Sequence, residues 1–267
     1  GSRGLGDVYK RQTYTLPQAK EISPYRYVGV NFNSQGNPNL KPSDHYNLDL
    51  KWDFNPTPTE LISLTAFYKL IKNPISRIEV ASAGGYLSYE NIADKATVAG
   101  VEVEIRKNLF VRPVSNAAHG MNKLSLGLNG SYIYTNAKMP LATVTTGSQL
   151  EGAAPWIVNF DLSHNFTKGE RSFVNTLVLN YVSDKIYTIG TQGYQDIMEQ
   201  GVLTLDFVSQ AKLNKHLSFN LKARNLLNSS YKLSRKANEN GEKVILNDYK
   251  KGINISLGLS LIHISEP

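Results

Sequence analysis

Apolar and polar residues alternate with a period of two along most of this chain. Tyr46, Leu48, Leu50, Trp52 and Phe54 are apolar, while Asn47, Asp49, Lys51 and Asp53 between them are polar. An extended strand places these two sets on opposite faces. A turn rich in Pro and Asn follows at Asn55–Thr59, and Leu61–Ile71 reads as the returning strand. The rhythm recurs in Lys95–Lys107, where Val101, Val103 and Ile105 oppose Gly100, Glu102 and Glu104. It recurs again in Asn122–Thr135, with Leu124, Leu126, Leu128, Tyr132 and Tyr134 on one face. Trp156, Val158, Phe160, Leu162 and Phe166 form the next apolar set, and Lys168-Gly169-Glu170 is a tight turn. Phe173, Leu177, Leu179 and Tyr181 define a strand ending near Tyr187. Val202–Leu213, His216–Asn228 and a last strand carrying Ile253, Ile255, Leu257 and Leu259 complete the series. A weaker strand is predicted at Arg26–Phe32, and Ser76–Ala93, residues 136–153 and residues 229–249 read as long connections.

Alternation alone leaves two architectures open. The apolar face can meet a second sheet in a soluble β-sandwich, or it can meet lipid in a barrel. Three features favour the barrel. Several strands keep their pattern for about ten residues, longer than the ~5–6 usual in globular sheets. Connections from Trp52 onward alternate short and long, with 107–122 the imperfect member. Outer-membrane barrels sort their loops this way, with short periplasmic turns and longer external loops, and a sandwich has no reason to. Aromatic residues also gather toward strand ends, as girdle residues do: Trp52 and Phe54, Tyr132 and Tyr134, Trp156 and Phe166.

Composition agrees with this. Hydrophobic residues make up 41% of the 267, and no run approaches the ~18 apolar residues of a spanning helix. Fifteen Tyr, nine Phe and two Trp accompany only 19% charged residues, which suits surfaces that are dry at one level and wet at another. The absence of cysteine excludes thiolate metal sites, disulfides and cysteine nucleophiles. The net charge of +7 is dispersed, with no basic run longer than Lys250-Lys251, so no nucleic-acid partner is expected. The opening GSRGLGDVYKRQ and closing LIHISEP resemble translated adapter sequence and show no joining alternation. Residues 1–12 and 262–267 are therefore expected to be non-native and outside the fold, with 13–261 as the barrel portion.

Several segments carry a family resemblance. Asn37-Pro-Asn-Leu-Lys-Pro-Ser leads into the first hairpin, whose second strand holds Ala66-Phe-Tyr-Lys and is followed by Lys72-Asn-Pro-Ile. Tyr89-Glu-Asn-Ile precedes Ala96-Thr-Val-Ala-Gly-Val-Glu-Val-Glu, and Ala223-Arg-Asn-Leu-Leu-Asn precedes Tyr231. In this order and spacing, over nearly all of 37–260, they resemble the barrel of a TonB-dependent outer-membrane receptor. The resemblance implies an all-β fold: about nine to ten antiparallel transmembrane strands of a 22-stranded barrel, incomplete and open-edged. It implies a bacterial outer-membrane location and active uptake of a scarce ligand such as a siderophore, cobalamin or an oligosaccharide. The implied partners are outer-membrane lipid, that small ligand (a metal chelate, vitamin or glycan), and TonB acting through a plug domain missing from this chain. A passive porin or adhesin barrel is the alternative within the membrane.

No catalytic chemistry is legible. The sequence has no phosphate-cradling glycine loop, no zinc-protease motif and no nucleophile elbow. No metal or cofactor site is expected, and His45, His119, His164, His216 and His263 are solitary. His164 falls on the apolar face, where an outer-membrane lipase would hold a histidine near a serine, but it reads better as a girdle residue. The polar-face residues Asp49, Lys51, Asp53, Glu102, Glu104, Asp161, Lys222 and Arg224 are candidates for lining the lumen. Carboxylates two apart on a strand, such as Glu102 and Glu104, read as solvated lining and not as an acid/base pair. Tyr86, Tyr89, Tyr187 and Tyr194, in the long connections, are the candidate ligand contacts.

Overall fold

The computed structural model describes residues 5–115, 120–139 and 147–262. His119, His263 and most of the expected closing segment, 263–267, lie outside the described residues. In chain order the elements begin with β1 (Leu5–Thr15), the short helix α1 (Ala19–Ile22), β2 (Arg26–Val28) and β3 (Asn33–Gln35). Next come β4 (Ser43–Phe54), β5 (Leu61–Lys72), β6 (Ile75–Val80), β7 (Tyr86–Asn91), β8 (Lys95–Pro113) and β9 (Met121–Ala137). Then follow β10 (Trp156–Lys168), β11 (Arg171–Val182), β12 (Lys185–Thr188), β13 (Ile197–Glu199) and β14 (Val202–Lys212). The last are β15 (Leu217–Arg224), β16 (Ser230–Lys236), β17 (Lys243–Lys250) and β18 (Asn254–Leu261).

Ten strands form one antiparallel sheet in the order β1-β4-β5-β8-β9-β10-β11-β14-β15-β18, open at β1 and β18. The order is that of a simple meander, because every missing number belongs to a connection. All the long connections, 16–42, 73–94, 138–155, 183–201 and 225–253, leave from one end of the sheet. All the short ones, 55–60, 114–120, 169–170 and 213–216, lie at the other. The irregular member resolves because β8 runs on to Pro113 and β9 starts at Met121, with a bulge between Asn108 and Phe110. At the tightest turn Lys168 pairs with Arg171, and Gly169 has φ 58°, as a two-residue hairpin loop requires.

Register sorts the side chains cleanly. Leu50, Ala66, Val101, Tyr132 and Trp156 fall in one row across five strands. The next row over holds Lys51, Thr65, Glu102 and Ser131. Among the described residues no second layer covers the apolar face: Leu48 is 49% exposed, Leu50 54% and Leu257 66%. Tyr46, Leu126 and Phe160 are half-exposed on the same face. A β-sandwich would have buried all six, so that architecture is excluded. Trp52 stacks on Phe54 at 6.0 Å and Phe166 meets Phe173 at 6.2 Å near the short turns. Tyr132 meets Trp156 at 4.6 Å at the opposite end. The outward band thus has an aromatic girdle at each edge.

Three expectations are corrected. Residues 5–12 do not stand outside the fold; they begin β1, paired to β4 from Leu5↔Asp53 to Thr15↔Ser43. Pairing uses the free backbone groups along the edge of β4 and needs no alternation of side chains. Lys10 and Gln12 accordingly sit opposite Leu48 and Tyr46 on the apolar side. Second, Ser76–Ala93 and 229–249 are not irregular: they carry the hairpins β6–β7 and β16–β17. Third, the strand expected to end near Tyr187 stops at Val182, and β12 turns into a separate small sheet, β12-β13-β16-β17.

The tightly buried core lies in these long connections and not in the ten-stranded sheet. Ile78, Ile92, Ala93, Leu150, Ile186 and Ile189 pack together with Ala96 and Ala137, the strand ends beneath them. Ile189 is 1% exposed and bridges Ile78, joining the small sheet to its counterpart β2-β3-β7-β6. The sheet needs no core of its own because its apolar side faces lipid.

Candidate functional site

The motifs recognised in the sequence meet at the base of the long connections. Lys41 N–H donates to Asn91 Oδ1 at 2.8 Å, and Asn91 Nδ2 donates back to Lys41 O at 3.0 Å and to Asn73 O at 2.9 Å. Ser43 Oγ also donates to Asn73 O at 2.6 Å, and Asn37 Nδ2 donates to Tyr89 O at 3.0 Å. Asn73 adopts φ 49°, a left-handed conformation that asparagine tolerates better than most residues. The same holds for Asn225 and Asn228, at φ 57° and 46°. Asn225 is held by Asp206 Oδ1 at 2.8 Å and by Gly252 O at 2.7 Å. Short polar side chains thereby fix where three long connections, 16–42, 73–94 and 225–253, leave the sheet.

Above this base, guanidinium groups lie over tyrosine rings. Arg77 sits 4.4 Å from the centroid of Tyr187, Arg26 5.0 Å from Tyr86, and Arg235 5.3 Å from Tyr194. Arg77 also donates through Nη1 to Tyr187 O at 3.3 Å, and its own N–H donates to Glu151 Oε2 at 3.1 Å. Glu79 forms an ion pair with Arg235, and Glu79 O accepts from Thr191 Oγ1 at 2.5 Å. The Glu79–Arg235 pair is largely buried, which strengthens its attraction and makes loss of either partner costly. Burial pushes the Glu151 carboxyl above its ordinary value, opposed by the Arg77 N–H and guanidinium.

A cavity of about 420 Å³ opens among these groups, lined by Lys20, Tyr27, Phe32, Arg77, Tyr89 and Tyr187. Its walls combine aromatic faces with two cations, a lining suited to an anionic ligand that also has flat or apolar surface. Of the four candidate tyrosines, Tyr187 and Tyr89 line this cavity. Tyr86 borders an adjoining one of about 240 Å³, and Tyr194 is exposed over Arg235. Tyr89 is itself buried, so it offers the cavity only a small surface. The arginines were missed by sequence reasoning. Their signal was Arg77 and Glu79 alternating with Ser76, Ile78 and Val80 inside a segment read as irregular.

The lumen-side candidates all share the inward face, but the fold brings only some of them together. Lys51 and Asp53 are 3.5 Å apart on β4, with Asp49 beside them along the strand. Glu102 accepts from Asn129 Nδ2 at 2.9 Å, and Glu104 pairs with Arg106 at 2.8 Å. Glu104, Arg106, Asn129 and Asp161 line a shallow groove of about 520 Å³. Lys222 and Arg224 lie on β15, three strands from Asp161 and so about 14 Å away along the sheet. The inward wall therefore mixes charges on β4 to β10, where Lys51 and Arg106 accompany the carboxylates, and carries Lys222 and Arg224 on β15.

His164 Nε2 is hydrogen-bonded to Asn122 Oδ1 at 2.8 Å, and Ser209, on the same face, donates to Asn175 at 2.7 Å. The partner of His164 is thus an asparagine and not a serine. His45 contacts Thr15 Oγ1 at 3.2 Å. Among the described residues no three His, Asp or Glu gather as a metal site would need.

Comparison with known proteins agrees with the geometry. The family model described as TonB dependent receptor-like, beta-barrel matches residues 11–226. No curated protein matches the sequence. Among solved structures, the ferric yersiniabactin uptake receptor FyuA from Yersinia pestis aligns over 97% of this chain at 15% identity, with a TM-score of 0.55. The copper transporter OprC aligns at 14% identity and a TM-score of 0.62. The ferric enterobactin receptor PfeA from Pseudomonas aeruginosa, as its Q482A mutant, aligns at 16% and 0.58. The chain spans 35%, 37% and 38% of those three proteins respectively. At such identities they speak for the fold: an open ten-stranded portion of a larger barrel. The family is one of receptors and not of enzymes, and its members reside in the bacterial outer membrane. From the family match and the sheet together, this chain belongs to the TonB-dependent receptor-like β-barrel family.

Proposed function

We propose that this chain is the barrel part of a receptor that captures a scarce anionic chelate at the cell surface and passes it inward, driven by TonB through a plug domain. The observation that carries this reading is the cavity in which Arg77 lies over Tyr187, with Lys20, Tyr27 and Phe32 around it. Cations and aromatic faces together suit a metal chelate with a negative, ring-bearing shell better than a neutral oligosaccharide. The similarity to two ferric-chelate receptors and a copper transporter supports the same class. The inward residues Asp49, Lys51, Asp53, Glu102, Glu104, Asp161, Lys222 and Arg224 would set the electrostatics of the passage, and Tyr86, Tyr187 and Tyr194 would meet the ligand through the arginines they carry. Residues 1–12 are proposed to be foreign to the receptor, since Lys10 and Gln12 occupy the apolar side of the sheet, and 262–267 on their resemblance to adapter sequence.

The test is uptake of a radiolabelled ferric catecholate by cells bearing the intact receptor, with cobalamin and a maltooligosaccharide as comparison probes. Arg77→Ala is expected to reduce ferric catecholate uptake about tenfold, the loss of roughly one desolvated cation–π and charge contact. Uptake of the neutral sugar in preference, or uptake that persists without TonB, would overturn the reading in favour of a different ligand or a passive pore.

A further inference from the structure

The outward face of the β10–β11 hairpin changes character in four steps toward its turn. Each step is a cross-strand pair in register: Leu162↔Leu177, His164↔Asn175, Phe166↔Phe173 and Lys168↔Arg171. The order is apolar, then hydrogen-bonding, then aromatic, then cationic. His164 is bonded to Asn122 of β9 at 2.8 Å, and Asn175 accepts from Ser209 of β14 at 2.7 Å, so the second step extends across four strands. Arg112 of β8 pairs with Asn122 and lies over Phe110 at 5.5 Å, placing a third cation beside the row. Lys168, Arg171 and Arg112 are exposed. No outward position of β8, β9, β10 or β11 carries an acidic residue. In the turn itself, Glu170 is held by Lys215 at 3.2 Å.

A lipid-facing row of polar side chains is costly where hydrocarbon meets it and makes sense where a lipid presents polar atoms. From Trp156 to Phe166 the outward residues of β10 span about 33 Å along the strand. Tilted by ~40–45°, that is close to the ~25 Å apolar band of an outer-membrane barrel. His164 and Asn175 therefore lie just inside one edge of the band, and Lys168 and Arg171 just beyond it. This sequence of groups matches a glycerophospholipid read from acyl chain to phosphate.

We propose that the outward face of β10–β11, with Arg112, is a binding site for an anionic phospholipid of the periplasmic leaflet. Lys168, Arg171 and Arg112 hold the phosphate. His164, Asn175 and Asn122 sit level with the glycerol and ester oxygens, Phe166 and Phe173 pack between the two levels, and Leu162 and Leu177 contact the acyl chains. The occupant is a lipid and not a soluble anion, because the cations are continuous with an apolar strip that a free phosphate cannot use. Charge complementarity selects the anionic headgroup over a zwitterionic one.

The test is flotation of the full chain with phosphatidylcholine vesicles, with and without phosphatidylglycerol, the β-sheet circular dichroism of each variant serving as folding control. The unaltered chain is expected to favour the phosphatidylglycerol vesicles. The variant Lys168→Gln with Arg171→Gln should lose that preference, by about fivefold for each cation removed. Lys168→Arg with Arg171→Lys should keep it. Lys236→Gln with Lys243→Gln removes the same charge from a cross-strand pair at the opposite end of the molecule and should also keep it. Equal loss in that last variant would reduce the effect to diffuse charge and overturn the proposal. Competition by inorganic phosphate would overturn it in favour of a simple anion site, and an unchanged preference in the first variant would overturn it outright.

Discussion

Lys41 and Asn91 bond to each other in both directions: the Lys41 N–H reaches Asn91 Oδ1 at 2.8 Å, and Asn91 Nδ2 reaches Lys41 O at 3.0 Å. A side-chain amide here imitates the backbone of a missing strand, and its second proton goes to Asn73 O. Asn91→Asp keeps the acceptor but loses both donors, leaving Lys41 O without its side-chain partner and Asn73 O with Ser43 Oγ alone. The expected loss is about 1–3 kcal/mol. Hydrogen exchange should show it locally, as lost protection at Lys41 and Asn73 with the β10–β11 amides unchanged. Equal loss throughout would show that the junction does not act as a local clasp.

Phe67 lies over Gly100, its register partner, and explains why that position lacks a side chain. A Cβ at Gly100 would sit 2.4 Å from Phe67 Cζ and 2.4 Å from Tyr132 O. The ring can turn aside; the carbonyl is part of the β8–β9 ladder and cannot. Gly100→Ala should therefore cost about 1–3 kcal/mol or somewhat more, and adding Phe67→Ala should restore only part of it. A double-mutant cycle by denaturant unfolding in detergent measures the difference. Full restoration would place the conflict on the ring alone.

These two contacts show what the sequence could and could not reveal. Ala66-Phe-Tyr-Lys and Ala-Gly-Val-Glu were both legible as motifs, but only register shows that Phe67 and Gly100 meet. Nine of the ten strands of the large sheet were legible because each alternates against a constant environment, lipid on one side and water on the other. Where the environment is mixed, the period disappears. In β6 and β7, Ile78 and Leu87 point into a small core while Arg77 and Glu79 serve loops far away in sequence, so the pattern is too short to stand out. β1 was invisible for a different reason. Its pairing is carried by backbone, and its Lys10 and Gln12 contradict the pattern of the strand beside it. The tyrosines of the candidate site were readable as residues in long connections. Their arginine partners were not, because Tyr194 and Arg235 come together only when separate loops fold over one another.

The raised Glu151 carboxyl makes the loop layer sensitive to pH. Its folded-state value lies above the unfolded one, so it stabilises the layer most fully below the ordinary carboxylate range. That contribution is lost as pH rises through the folded value. Exchange protection at Ile186 and Arg77, corrected for intrinsic rates, should thus fall from mildly acidic to neutral pH. Glu151→Gln keeps an acceptor for the Arg77 N–H without the titration, and should hold the acidic level of protection across the range. A wild-type profile that is flat, or rises with pH, would show that the attraction of Arg77 outweighs burial.

Val178 and Leu179 are adjacent in β11 and face opposite sides, which offers the sharpest check on what the two faces meet. Leu179 pairs with Phe160 and Leu205 in the outward band. An arginine there must lie in hydrocarbon or distort the bilayer, and Leu179→Arg should cost about 2–4 kcal/mol. Val178 pairs with Asp161 on one side and Asp206 on the other. An arginine there enters the inward face between two carboxylates, where exposed ion pairs contribute about 0–1 kcal/mol, so Val178→Arg should be neutral or slightly stabilising. Refolding into vesicles, followed by denaturant titration, separates the two. The contrast depends on the outward side meeting lipid: in a protein whose apolar face met water, moving a single charge by one residue would change little, and equal stabilities for the two variants would defeat the assignment.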